Sequence, residues 1–84
     1  MTPWTVYMLR CADGSLYTGI AVDADKRAAA HNAGRGAKYT RARRPVAVVY
    51  REGAENRSQA SQREWAIKRL TRRQKLQLID PGAA

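Results

Sequence analysis

With 84 residues, 44% of them apolar and none of them Phe, the chain has nonpolar surface for one small core and not for a second. Sixteen Lys plus Arg against seven Asp plus Glu give a formal charge of +9 and a pI near 10.6, which points to a polyanionic partner. One cysteine, Cys11, excludes an internal disulfide, no apolar run approaches the roughly 20 residues of a membrane span, and the start Met-Thr-Pro-Trp has neither the basic nor the apolar region of an export signal.

Along the chain, Thr5 to Arg10 is β-prone, Ala12-Asp13-Gly14 carries turn chemistry, and Leu16 to Ile20 resumes a strand, so a hairpin is expected. Period two puts Tyr7 with Thr5 and Leu9, and Tyr17 with Ser15 and Gly19; whether both phenols share a face depends on a register the sequence leaves open. Asp23 is placed to cap a helix over residues 24–32 that Gly34 ends. Arg27 and His31, four apart, project from one side of it. Residues 35–44, with five cations and Tyr39, read as an exposed basic loop closed by Pro45, and Val46 to Arg51 as the third strand.

A further helix is expected from Asn56 or Ser58 to about Leu70, burying a stripe of Ala60, Ile67 and Leu70. Glu64 falls inside that stripe. Thr71 then caps a last helix, Arg72 to Ile79, with Leu76 and Ile79 inward, and residues 80–84 are expected to fray. The fold class is therefore α+β, a three-stranded antiparallel sheet flanked by helices in β-β-α-β-α-α order, forming one domain over 1–84 with its core at about 4–79.

Thr5-Val6-Tyr7, then Tyr17-Thr18-Gly19 ten residues on, then Arg27, His31 and the late helical Glu64 together resemble the GIY-YIG nuclease pattern. The resemblance covers nearly the whole chain and is nearest to the small UPF0213 or YhbQ-like members. It implies a site in which Tyr7, Tyr17, Arg27 and a metal-bound Glu64 surround a scissile phosphate, one tyrosine activating the attacking water. Two positions depart from the pattern: Thr5 stands where the first motif has Gly, and no Asn follows Glu64, leaving Gln74 or Gln77 as substitutes.

The same residues have plainer readings. Glu64 is either a hard oxygen ligand for one Mg²⁺ or Mn²⁺ or a core-edge carboxylate paired with Lys or Arg. Tyr7 and Tyr17 either flank a site or fill cross-strand pairs. Arg27 either holds phosphate oxygens or is a solvated cation, and His31 bonds a tyrosine, passes a proton, or stands on the surface. Gly19 either admits a close approach of phosphate or helix or marks a bulge. Lys38, Tyr39, Arg41, Arg43 and Arg44 are candidates for nucleic-acid contact, Tyr39 by stacking on a base, with Lys68 and Arg72 in a second basic strip.

The expectation is a metal-dependent endonuclease on nucleic acid, DNA ahead of RNA, directed by structure or damage, acting in the cytoplasm and off the membrane. A protein partner would supply specificity that a chain this short has no room for. The alternatives are a non-catalytic nucleic-acid-binding module on the same fold and a small basic protein associated with the ribosome or another partner.

Overall fold

The computed structural model describes residues 3–82. Strands β1 (Trp4–Arg10) and β2 (Leu16–Ala21) form the expected hairpin. Its loop is closed by Cys11 and Ser15, whose backbone N–H and C=O pair at 2.9 Å, and by Asp13, whose carboxylate accepts the Ser15 N–H at 3.0 Å. Gly14 turns the chain at φ +84°, a conformation that costs a residue with a Cβ.

Strand β3 (Ala47–Ala54) pairs with the other side of β1, giving an antiparallel sheet in the order β2-β1-β3. The central strand explains its own composition. Val6, Tyr7, Met8 and Leu9 are all buried because both faces of β1 are covered, so an unbroken apolar run replaces the alternation of a half-exposed strand. Tyr7 and Leu9 face helix α1 (Ala24–Asn32) through Ala24 and Ala28, whereas Val6 and Met8 face helix α3 (Arg57–Lys68) through Ala60 and Ile67.

The expected helix boundaries hold where side-chain caps specify them. Asp23 accepts from Lys26 N–H at 3.0 Å at the start of α1, and Asn56 from Gln59 N–H at 2.8 Å at the start of α3. Thr71 and Gln74 form a reciprocal capping box on helix α4 (Arg72–Ile79). Within that last helix Ile79 packs against the α3 side of the core as expected, and Leu78 joins it there in place of the expected Leu76.

The order is β-β-α-α-β-α-α, with one element more than the sequence suggested. The basic stretch contains a helical turn, α2 (Lys38–Arg41), because Thr40 turns inward to complete burial and the Thr40 and Arg41 N–H groups both bond Ala37 O. Asn32 ties this region to the sheet, its side chain donating to Val46 O at 2.9 Å and accepting from Val46 N–H at 2.7 Å. The tail expected to fray is described only as far as an exposed turn at Pro81 and Gly82; Ala83 and Ala84 lie outside the described residues, as do Met1 and Thr2 of the amino-terminal segment. No helix among the described residues is long and apolar enough to cross a membrane.

Candidate active site

Strand pairing sets Tyr7 opposite Gly19 and Leu9 opposite Tyr17, so both tyrosines lie on the α1 side of the sheet. Tyr7 is 1% exposed, and its ring crosses directly over β2. A Cβ on Gly19 would lie 2.6 Å from the Tyr7 hydroxyl and 2.8 Å from its Cζ. The neighbour that requires glycine here is therefore the Tyr7 ring, and the one irregularity in the sheet falls elsewhere, between Met8 and Leu9 on the β3 side.

The Tyr7 hydroxyl reaches His31 Nε2 at 3.2 Å. His31 is completely buried, which removes the surface reading, and its other nitrogen lies 2.7 Å from Thr40 Oγ1. Thr40 has one proton to give. Its bond to Ala37 O is 2.9 Å, shorter than the 3.3 Å from Ala37 N–H to His31 Nδ1. The arrangement that uses the better contacts has Nδ1–H donating to Thr40, Thr40 donating to Ala37 O, and the phenol donating to Nε2; this tautomer follows from the bonding network.

Electrostatics agree with a neutral pair. Burial raises the Tyr7 pKa, the neighbouring Tyr17 raises it further, the Arg27 guanidinium opposes both, and Glu64 adds the least influence, upward. Burial holds His31 below its ordinary value, helped by the positive charge of Arg27 one helical turn earlier. Tyr17 meets the His31 ring edge-on with centroids 5.3 Å apart.

Glu64 approaches from the other layer. Helix α3 lies on the sheet face opposite α1, but it packs on β2, which is an edge strand. Among the described residues no hydrogen bond or ion pair joins Glu64 to Tyr7, Tyr17, Arg27 or His31. Glu64 itself sits at the rim of the buried stripe with its side chain 23% exposed, and Lys68 Nζ lies 3.3 Å from Oε2. The pairing expected of a core-edge carboxylate is thus present. Gln74 accepts from Thr71 N–H at 2.9 Å, which commits it to the α4 cap and removes it as a stand-in for the absent Asn.

The basic stretch divides into two kinds of cation. Arg43 donates to Asp13 and to Tyr39 O and places its guanidinium 3.9 Å from the Tyr39 ring centroid, while Arg44 donates to Arg41 O and Asn32 O. Both hold the loop together. Lys38 and Arg41 are exposed and make no side-chain hydrogen bond or ion pair among the described residues. Tyr39 already stacks on Tyr17, with centroids 6.0 Å apart, so its ring is shared between the fold and solvent. In the second strip Lys68 is paired with Glu64, and Arg72 is exposed at the start of α4.

Three contributors escaped the sequence reading. Thr40 orients His31. Gly36 lies so close to the imidazole that a Cβ would be 2.5 Å from Cγ and nearer still to Nδ1. Asn32 ties the end of α1 to Val46, the residue just before β3. Thr40 and Gly36 sit in a stretch without periodicity, where spacing carries no information about what a side chain meets.

Residues 3–77 match the family model described as the GIY-YIG catalytic domain. A UPF0213 protein of Staphylococcus saprophyticus is 52% identical over 77 residues, covering 92% of this chain and 94% of the relative. One from Staphylococcus aureus is 55% identical over 74 residues, covering 88% and 90% respectively. Among solved structures, the solution NMR structure of a UPF0213 protein of Bacillus halodurans superposes with a TM-score of 0.60 at 42% identity, covering 94% of this chain and 84% of that one. A protein of E. faecalis gives 0.59 at 43%, covering 92% and 81%.

Proposed function

Since the chain belongs to the GIY-YIG catalytic domain family, we propose that it is a divalent-metal-dependent endonuclease hydrolysing phosphodiesters in DNA, directed by structure or damage. The observation that carries this reading is the packing of Tyr7 and Tyr17 around the buried His31 on the α1 face of the sheet, with Arg27 one helical turn before that histidine; Glu64, on α3 of the opposite face, would supply the metal ligand. Two tyrosines that only fill the face of a sheet would have no reason to enclose a buried histidine bonded to one of their hydroxyls.

In this mechanism Arg27 holds the non-bridging phosphate oxygens and offsets charge as it accumulates in the transition state. Tyr7 accepts a proton from the attacking water while passing its own to His31 Nε2. The raised phenol pKa makes a free phenolate scarce near neutrality, so a neutral imidazole beside it is the acceptor that lets the phenol serve as a base. Thr40 keeps Nε2 free of a proton for that purpose. Tyr17 walls the imidazole on its other side.

Glu64 suits Mg²⁺ or Mn²⁺, hard cations that keep several waters and take one or two carboxylates. Among the described residues no three His, Cys, Asp or Glu side chains gather, so Glu64 alone would offer such an ion a carboxylate. The Glu64–Lys68 pair is half exposed on the Lys side, a kind of pair worth about 0–1 kcal/mol, so freeing the carboxylate to hold a metal would cost little. When bound, the metal supplies Lewis-acid stabilisation of phosphate oxygen charge. Lys38, Arg41 and Arg72 contact the backbone phosphates, the reaction takes place in the cytoplasm, and a protein partner contributes specificity.

The test is Glu64→Ala. Mg²⁺-dependent cleavage is expected to vanish while nucleic-acid binding stays within a few fold, as loss of a lone metal ligand predicts. Unchanged cleavage in the purified variant overturns the assignment. A second reading, a binding module that has kept the fold without the chemistry, is favoured by the lack of an Asn after Glu64 and by the commitment of Gln74 to its cap. Salt-sensitive binding with no turnover on single-stranded, duplex and branched substrates would select it.

A further inference from the structure

Trp65 is the largest apolar side chain left in solvent among the described residues, 62% exposed on α3, one position beyond Glu64. A helix advances ~100° per residue, so Trp65 stands on the surface row beside the one that carries Glu64 and Lys68. It forms a shallow groove with Ser61, Gln62 and Ala66, and the Arg69 guanidinium lies 4.4 Å from its ring centroid. From Arg57 to Ile79 the chain has seven cations and one carboxylate; Arg63 is paired with Glu52, Lys68 with Glu64, and Arg57 lies over Trp4, which leaves Arg69, Arg72, Arg73 and Lys75 without a carboxylate partner among the described residues. An apolar protein partner would find this face densely positive. A nucleic acid would find a flat aromatic surface framed by phosphate-binding charge.

We propose that the Trp65–Arg69 face is a stacking platform for an unpaired nucleobase, with Arg69, Arg72 and Arg73 on the adjoining phosphates. Duplex bases are already stacked and present only their edges, so the platform selects single-stranded or splayed DNA next to the Glu64 edge. This rests on the nucleic-acid reading above and adds the form of strand that the surface accepts.

Binding is measured in EDTA, so that cleavage plays no part, using a short oligothymidylate and a duplex of equal length. Trp65→Ala is expected to weaken oligothymidylate binding on the order of 10-fold, with duplex binding and its salt dependence unchanged. Trp65→Phe should recover most of the loss. In a Trp4→Phe background, which leaves Trp65 as the sole indole, oligothymidylate should quench the fluorescence. Equal losses on both forms, no loss on either, or absence of quenching overturns the platform while leaving duplex binding to stand. Self-association in sedimentation that Trp65→Ala abolishes would assign the face to a second copy of the chain and overturn it as well. If the unmodified chain binds neither form, the nucleic-acid reading falls and the platform with it.

Discussion

Gly36→Ala is the substitution that most directly tests how the site is held together. The new methyl would sit 2.5 Å from His31 Cγ and 2.7 Å from Cε1, whereas carbon contacts settle near about 3.5–4.0 Å. The imidazole has no room to retreat: it is fully buried and bonded at both nitrogens, to Tyr7 and to Thr40. Either the ring moves by about 1 Å and gives up those bonds, or the loop lifts and takes Thr40 with it. Overpacking costs about 1–3 kcal/mol, and a buried polar group left without its partner about 1–3 kcal/mol more. The expected total is roughly 2–6 kcal/mol, against the about 4–13 kcal/mol available to a chain of this size. Denaturant unfolding measures it, and a double-mutant cycle assigns its cause. In a His31→Ala background the penalty should largely disappear, since the atoms it collides with are gone. If Gly36→Ala costs under about 0.5 kcal/mol, or costs as much without the imidazole as with it, then the packing described around His31 is wrong.

Thr40→Val removes the acceptor for Nδ1–H, which lets the proton settle on Nε2 and reverses the bond to Tyr7; cleavage should fall at least about 10-fold, Thr40→Ser should restore it, and a variant that loses stability but keeps its rate would deny Thr40 an orienting role. Because His31 has a lowered pKa in the folded chain, the unfolded chain binds its proton first. Stability from this group is therefore complete above the ordinary value of 6.5 and declines as pH falls below it. Melting temperature should drop between about pH 7 and 5, and His31→Gln should flatten that slope; Asp13, held low by Ser15, and Asp25, held low by Arg51, titrate further down and cannot imitate it. Asn32→Ala breaks two bonds to Val46 and should cost about 1–3 kcal/mol; a cost no larger than that of Asn56→Ala, which loses only a helix cap, would show that the α1 to β3 tie contributes little.

Local chemistry was enough to write most of the element boundaries. Asp23, Asn56 and Thr71 each cap a helix through a bond that spans three residues, so the information lies within the segment itself. The hairpin followed for the same reason, from turn residues between two β-prone runs. Family resemblance supplied the candidate set Tyr7, Tyr17, Arg27, His31 and Glu64, but spacing alone left each of them a plainer alternative. Residues 35–44 were harder to read, because the helical turn there depends on Thr40 finding a buried partner 9 positions away.

The chain's own order of residues thus determined its charge, its strands, its capped helices and a short list of groups able to do chemistry, since all of these rest on composition or on neighbours a few positions apart. Only the tertiary structure decided that Tyr7 lies over Gly19, that Gly36 and Thr40 enclose His31, and that Glu64 stands on the helix covering the opposite face of the sheet. Those facts depend on strand register and on which helix covers which face of the sheet. Register and layer order are set by burial summed over the whole core, a quantity that no single segment carries.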